Sequence, residues 1–151
     1  MIVAMVDVFG RLLQGRLLGK KHYARLCDLL SDVPPGEVVY LDFSGVDLVT
    51  GSWVNAMLVP FFRWAADERN DLFPVICNAQ EGWLDDLALV ADWTHQCYLV
   101  AQGAIPPQQA ILVGSLDPGQ QATFEVLLEL HEATGAALER LRPDANIKAT
   151  A

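Results

Sequence analysis

Residues 38–58 read VVYLDFSGVDLVTGSWVNAML, and this stretch decides the fold of the 151-residue chain. Its first part, residues 38–43, is an apolar run interrupted only by Asp42, which is typical of a central parallel strand covered on both faces. Ser44 and Gly45 end that strand. Apolar residues then recur at helical spacing, which predicts an amphipathic helix from Ser52 to about Asp67 that packs back on the sheet. The apolar positions of this helix are Val54, Met57, Leu58 and Phe61.

Strands and helices alternate on both sides of this stretch. Upstream, the pattern predicts a strand at 2–8, a glycine-rich connection and a helix at 20–30. Downstream, it predicts a strand at 73–77, a helix at 82–90, a strand at 97–101 and a last edge strand at 111–113. We therefore expect residues 1–113 to form an α/β domain with a mixed or mostly parallel sheet and helices packed on it.

Residues 114–151 have the pattern of helices alone. Residues 116–141, LDPGQQATFEVLLELHEATGAALERL, resemble the first two helices of a winged helix-turn-helix domain of the MarR-like kind. The chain stops where a recognition helix would begin, and this segment carries three cations against six carboxylates, the wrong charge for DNA. Either a longer gene completes the winged helix, or the two helices dock on the first domain or on a second subunit.

Two further stretches resemble a known family. LDFSGV at 41–46 and TGSW at 50–53 are similar to the turn and the helix start of the STAS domain, the sulphate-transporter and anti-sigma-factor-antagonist family. VDVFGRLLQGRLLGKKHYARL at 6–26 resembles the opening of bacterial STAS-like domains of unknown function. The resemblance implies a STAS-like fold, and it places Ser52 at the family's phosphorylatable serine. Thr50 stands where the family has an acidic residue, and Gly51 and Trp53 replace a serine and a glycine.

The hydroxyls at this helix start have two interpretations. Ser52 or Thr50 caps the free amides of the helix, or Ser52 accepts a phosphoryl group from a partner kinase, because two negative charges are tolerated at a helix N-terminus. Trp53 is either a contact for a partner or a buried aromatic residue. Asp42 is expected to cap the SG turn rather than to act as an acid. The predicted partner-binding residues are Ser44, Asp47, Thr50, Ser52, Trp53 and Asn55.

Composition excludes several classes of protein. A net charge of −9 opposes autonomous binding to nucleic acid, and the chain has neither an apolar run of membrane-spanning length nor a signal peptide, so we expect a cytoplasmic protein. Half of the ten cations lie in the first 25 residues and form a basic region there. The cysteines at 27, 77 and 97 are too widely spaced for a zinc site, and we predict buried reduced thiols, no metal and no cofactor.

The sequence does not predict a catalytic site. The set Ser52, His95 and Asp92 has the residue types of a triad, but GSW lacks the second glycine of a nucleophile elbow. Neither a dinucleotide fingerprint nor a P-loop is present. We expect a non-catalytic bacterial regulatory module that binds a protein, by the resemblance an anti-sigma-type kinase, and that can form a homodimer. The alternative is a DNA-binding transcriptional regulator whose winged helix continues beyond residue 151.

Overall fold

The computed structural model of the protein describes residues 1–69 and 71–114, and the unit Met1–Gly114 is compact. The predicted helices at 116–141 lie outside the described residues. The strands are β1 Ile2–Ala4, β2 Leu12–Leu13, β3 Val38–Asp42, β4 Leu48–Val49, β5 Phe73–Cys77, β6 Tyr98–Ala101 and β7 Ile111–Val113. The helices are α1 Met5–Phe9, α2 Arg16–Leu30, α3 Gly51–Asp67 and α4 Glu81–Thr94.

Five strands form the main sheet in the order β1-β3-β5-β6-β7. The pairs β1-β3, β3-β5 and β5-β6 are parallel, and β7 closes the edge antiparallel to β6. This arrangement confirms the predicted α/β class with a mostly parallel sheet. β2 and β4 form a separate two-stranded parallel sheet that the sequence pattern did not predict.

The region before residue 30 differs from the prediction. The expected strand at 2–8 was wrong beyond Ala4, because the chain turns into the short helix α1 at Met5. A short apolar run does not separate a strand from a buried helical turn. α2 begins at Arg16 rather than at Lys20, so Gly19 lies inside a helix and not in a connection.

The helices pack on one face of the sheet. Strand order advances in one direction from β1 to β6, so crossovers of the same hand place α2, α3 and α4 on the same side. Their apolar stripes share one core with Val39, Leu41 and Ile76. The opposite face has a smaller cluster around Val75, Cys77 and Ala101. Burial along β3 therefore alternates, with Val39 and Leu41 buried on the helix face and Val38 and Tyr40 partly buried on the other face.

This topology brings three helix starts to one edge. The chain leaves β1, β3 and β5 at the same edge of the main sheet, and α2, α3 and α4 lie on the three connections that begin there. β2 precedes α2, and β4 precedes α3. Ligands of open α/β sheets bind outside the carboxyl ends of the strands. The predicted site residues between Ser44 and Asn55 all follow β3 there.

Candidate functional site

Thr50 caps helix α3. Its Oγ1 accepts a hydrogen bond from the backbone amide of Trp53 at 3.3 Å and a second from the amide of Gly15 at 3.1 Å. The first bond satisfies a free amide of the first turn of α3. The second fastens the segment before α2 to the start of α3. Thr50 is therefore the capping residue that the sequence left undecided between Thr50 and Ser52.

Ser52 has a different environment. Its Oγ lies 3.2 Å from Thr50 Oγ1, and its side chain belongs to an exposed residue. A hydroxyl has one hydrogen and two acceptor positions. Two amides already occupy the acceptor positions of Thr50, so Thr50 donates and Ser52 accepts. Among the described residues, no backbone amide of α3 bonds to the Ser52 hydroxyl.

Trp53 is a core residue and not a contact for a partner. Its side chain is 0% exposed, and its Nε1 donates to Nδ1 of His22 at 3.0 Å. Phe9 stacks on the imidazole of His22 at 4.3 Å between ring centroids, and Phe43 meets the indole edge-on. Of the two interpretations of Trp53, the structure shows the buried aromatic residue. The adjacent residues of the helix face outward at Ser52 and Asn55.

His22 is held neutral in this position. Burial lowers its pKa from the ordinary value of 6.5, and the nearby cation Arg25 lowers it further. The bond from Trp53 requires an unprotonated Nδ1, so the neutral ring carries its proton on Nε2. A protonated His22 loses this bond, because both ring nitrogens are then donors.

The pKa of His22 predicts a loss of stability in mild acid. The unfolded chain takes up a proton at a higher pH than the folded protein, so the free energy of unfolding falls as the pH decreases below 6.5. Urea denaturation at a series of pH values measures this slope. His22→Asn keeps an acceptor for Trp53 and removes the titration, so we expect a flatter profile. His95→Gln, at an exposed histidine, is the control, and a wild-type slope in His22→Asn would contradict the assignment.

Asp42 caps the SG turn, as predicted. Its Oδ1 accepts from the amide of Ser44 at 3.0 Å and from the hydroxyl of Ser44 at 2.7 Å. Asn78, after β5, adds a third bond at 3.1 Å and pairs with the backbone of Gly103 after β6. Burial alone raises the pKa of Asp42, but the bonds from Asn78 and Ser44 outweigh it, so this carboxyl has a pKa below its usual value.

The small sheet of β2 and β4 adds an apolar pair that the sequence did not reveal. Leu12 and Leu48 are register partners and are 52% and 42% exposed. Beside them, Nε of Arg11 contacts Oδ2 of Asp47 at 2.9 Å. Both side chains of this ion pair are exposed, so it orders the surface more than it stabilises the fold. Strands of two residues are too short for a periodic pattern, and only the exposed leucines themselves could have indicated this patch.

These residues define one candidate surface, which we call the docking face. It consists of exposed residues that follow β3 or lie on the paired segment of β2, and Thr50 lies partly buried at its base. Its members are Arg11, Leu12, Ser44, Asp47, Leu48, Ser52 and Asn55. Four of the predicted partner-binding residues are exposed, Thr50 is partly buried and Trp53 is buried. The exposed ones are Ser44, Asp47, Ser52 and Asn55.

An acidic side chain adjoins the start of α3. A Cβ built on Gly51 would lie 3.8 Å from Cγ of Asp86, which belongs to α4. A carboxylate near a helix N-terminus interacts favourably with the free amides there. A larger residue at Gly51, such as the serine that the STAS pattern has at this place, would sit directly against that carboxylate.

The histidine considered for a triad lies at the other end of the helices. His95 follows the last turn of α4 and lines a cavity together with Arg63 and Asp67 of α3. Arg63 is eleven residues beyond Ser52, which is about 16 Å along a helix. Ser52, His95 and Asp92 therefore do not form a triad.

The described part of the chain has neither a cluster of metal ligands nor a membrane-spanning helix. Among residues 1–69 and 71–114, no three His, Cys, Asp or Glu side chains are grouped to hold a metal ion. Within the same residues, no helix combines the length and the apolar character needed to cross a bilayer. Burial raises the pKa of Cys77 to about 11, so this thiol stays protonated at neutral pH.

Comparison with known proteins did not identify a family. A scan against protein-family models, a search of curated proteins and a search of solved structures each gave no match. The geometry of the sheet and helices defines the class of the protein. It is an α/β domain with a mostly parallel sheet, helices on one face and an exposed, partly apolar surface at the carboxyl edge of the strands.

Proposed function

We propose that this protein is a non-catalytic bacterial regulatory module of STAS-like type, which binds another protein through the docking face and is switched by phosphorylation of Ser52. The resemblance of LDFSGV and TGSW to the STAS turn and helix start motivates the family, and it makes an anti-sigma-type kinase the expected partner. The exposed leucine pair beside an ion pair and two exposed serines gives the docking face the mixed character of a protein-binding surface.

One observation carries the proposal: the hydroxyl that caps α3 belongs to Thr50, and the exposed hydroxyl belongs to Ser52. Thr50 accepts a hydrogen bond from the amide of Trp53, whereas Ser52 is exposed and, within the described part of the chain, bonds to no backbone group. A phosphoryl group on Ser52 therefore leaves the cap of α3 in place. Its charge also lies in the first turn of α3, where free amides and the helix dipole favour an anion.

Phosphorylation would change the electrostatic character of the docking face. In the unmodified protein, the charge of Asp47 is balanced by Arg11, while Asp86 lies behind Gly51. A phosphate adds about two negative charges within a few residues of the leucine pair. An anionic partner surface is then repelled, and an apolar one binds less well because burying the dianion costs desolvation free energy. Modification thus acts as a release signal.

Co-expression with kinases encoded near the gene tests the site. We expect intact-mass analysis to show one added phosphoryl group on the wild type and none on Ser52→Ala. Ser44→Ala is the matched control, because Ser44 is exposed in the same surface but its hydroxyl is bound to Asp42. A phosphate retained by Ser52→Ala, or lost only in Ser44→Ala, would refute the assignment of Ser52. A wild type that stays unmodified with every candidate kinase would refute the switch.

Thr50→Ala and Ser52→Ala together test which of the two hydroxyls caps α3. Thr50→Ala is expected to lower the free energy of unfolding by about 1–2 kcal/mol, because it removes a helix cap and the acceptor for Gly15. Ser52→Ala is expected to change it by less than about 0.5 kcal/mol, as is typical of an exposed position. The opposite order would mean that Ser52 is the cap and is not available for modification.

A further inference from the structure

Helices α2 and α4 carry opposite charges on opposite flanks of the helical layer. α2 has four cations and a single carboxylate, Asp28, and α4 has four carboxylates and no lysine or arginine. α3 packs against both of them and lies between them. The cations of α2 are Arg16, Lys20, Lys21 and Arg25, and the carboxylates of α4 are Glu81, Asp85, Asp86 and Asp92.

Each of these helices also exposes large apolar side chains on the side that carries its charges. Leu17 lies near the start of α2, and Leu89 and Trp93 lie in the last two turns of α4. Leu17 of α2 is 71% exposed, with Lys20 and Lys21 one turn further along the same side. Leu89 and Trp93 of α4 are 60% and 85% exposed and are one turn apart, so they form a short stripe beside Asp85 and Asp92. An exposed tryptophan within an apolar stripe is a frequent anchor of protein interfaces.

We propose that this chain associates with itself head to tail, with the α2 face of one copy on the α4 face of the next. The second copy is the favoured occupant because each face supplies what the other lacks. The acidic rim around Leu89 and Trp93 requires a basic helix with an apolar centre, and α2 has that composition around Leu17. Attraction between unlike charges sets the pairing, and burial of the leucines and Trp93 supplies the remaining free energy.

The geometry makes the contact heterologous. The two faces differ and lie on opposite flanks, so each bound copy leaves one unused α2 face and one unused α4 face at the ends of the assembly. The assembly therefore grows beyond a dimer, into a chain or a ring. Two helix faces of 14 and 15 residues form a contact smaller than a standard interface, so we expect a weak dissociation constant of about 100 µM.

Sedimentation velocity of the full chain tests the proposal. Between about 10 µM and 1 mM, the wild type is expected to form species larger than a dimer. Raising NaCl from about 50 mM to 500 mM is expected to weaken association at least about threefold, because salt screens exposed charges. The emission of Trp93 is expected to shift to shorter wavelength as the species grow.

Single substitutions separate this contact from other surfaces. Leu17→Glu places an anion opposite the acidic α4 face of the next copy, Trp93→Lys places a cation opposite its basic α2 face, and both positions are exposed enough to leave folding intact. Each variant alone is expected to stay monomeric. Leu48→Glu is the control, since it makes the same kind of change on the docking face and is expected to associate as the wild type does.

A mixture of the two variants gives the decisive result. Leu17→Glu retains a working α4 face and Trp93→Lys retains a working α2 face, so the mixture is expected to form a 1:1 dimer and nothing larger. A wild type that is monomeric at about 1 mM in low salt would overturn the proposal and leave a different protein as the occupant of these faces. Association of Leu17→Glu alone, or of the Trp93 variant alone, to the wild-type extent would also overturn it. So would a mixture of the two that stays monomeric while the wild type associates.

Discussion

Trp53→Ala is expected to lower the free energy of unfolding by about 4–6 kcal/mol. Truncation of a fully buried aromatic residue costs about 3–5 kcal/mol through lost contacts and the cavity left behind. The substitution also leaves Nδ1 of His22 without its donor, and an unsatisfied buried acceptor adds about 1–3 kcal/mol. The two contributions overlap, because the cavity lets water reach the imidazole. Urea denaturation followed by far-UV circular dichroism measures the change.

Trp93→Ala is the matched control, because Trp93 also lies on a helix but is 85% exposed. At a concentration where the protein is monomeric, its effect is expected to stay within about 0.5 kcal/mol. Trp53→Phe is expected to fall between the two, since it keeps most of the apolar volume and loses only the donor. Equal effects of Trp53→Ala and Trp93→Ala would contradict the position of Trp53 in the core.

Gly19→Val is expected to destabilise the protein by about 3 kcal/mol, through overpacking of two helices. A Cβ at Gly19 would lie 2.8 Å from Cβ of Ala56 and 3.1 Å from the carbonyl oxygen of Trp53. The carbonyl belongs to the backbone of α3 and cannot rotate away, so α2 and α3 must separate. Gly19→Ala is expected to cost less, about 1 kcal/mol, because the better helix propensity of alanine offsets part of the clash.

Gly82→Ala provides the control on another helix. A Cβ at Gly82 meets no atom within 4 Å, so the substitution is expected to raise stability by about 0.5 kcal/mol through its effect on the unfolded chain. Ala56→Gly should restore part of the stability lost in Gly19→Ala, since it removes the nearest clashing atom. Calorimetry of the four variants measures both effects. A stabilising effect of Gly19→Val would show that the two helices are not in close contact there.

Long and strongly patterned segments were predictable from the sequence. The apolar run at β3 and the helical spacing of Val54, Met57 and Leu58 each extend over enough residues to define one period. The edge strand Ile111–Val113 was predicted because a turn-forming segment precedes it. Where the pattern was short it was ambiguous, as at Met5, where one helical turn resembled the continuation of a strand.

The candidate site was only partly predictable, because its main contacts join residues far apart in the chain. The spacing to Met57 places Trp53 on the apolar stripe of α3. The hydrogen-bond partner of Trp53, His22, is 31 positions away, and no pattern in the sequence links the two residues. Gly19 was interpreted as a helix breaker, although its small size serves the contact with Ala56. The choice between Thr50 and Ser52 as the cap depends on a helix start at Gly51, and helix boundaries are uncertain by one or two residues from a pattern.

The one-directional order of β1, β3, β5 and β6 also bears on how the chain folds. Each parallel pair joins two strands across a whole crossover, 38 residues from Ile2 to Tyr40 and 24 from Ile76 to Val100, so these pairings are non-local. We expect the unit β3-α3-β5 to form the folding nucleus, since it occupies the centre of the sheet and contains the largest buried side chain, Trp53. Growth can then proceed toward either edge, and His22 joins the nucleus when α2 arrives. A substitution at Trp53 would thus slow folding, whereas one on the antiparallel edge strand would mainly speed unfolding.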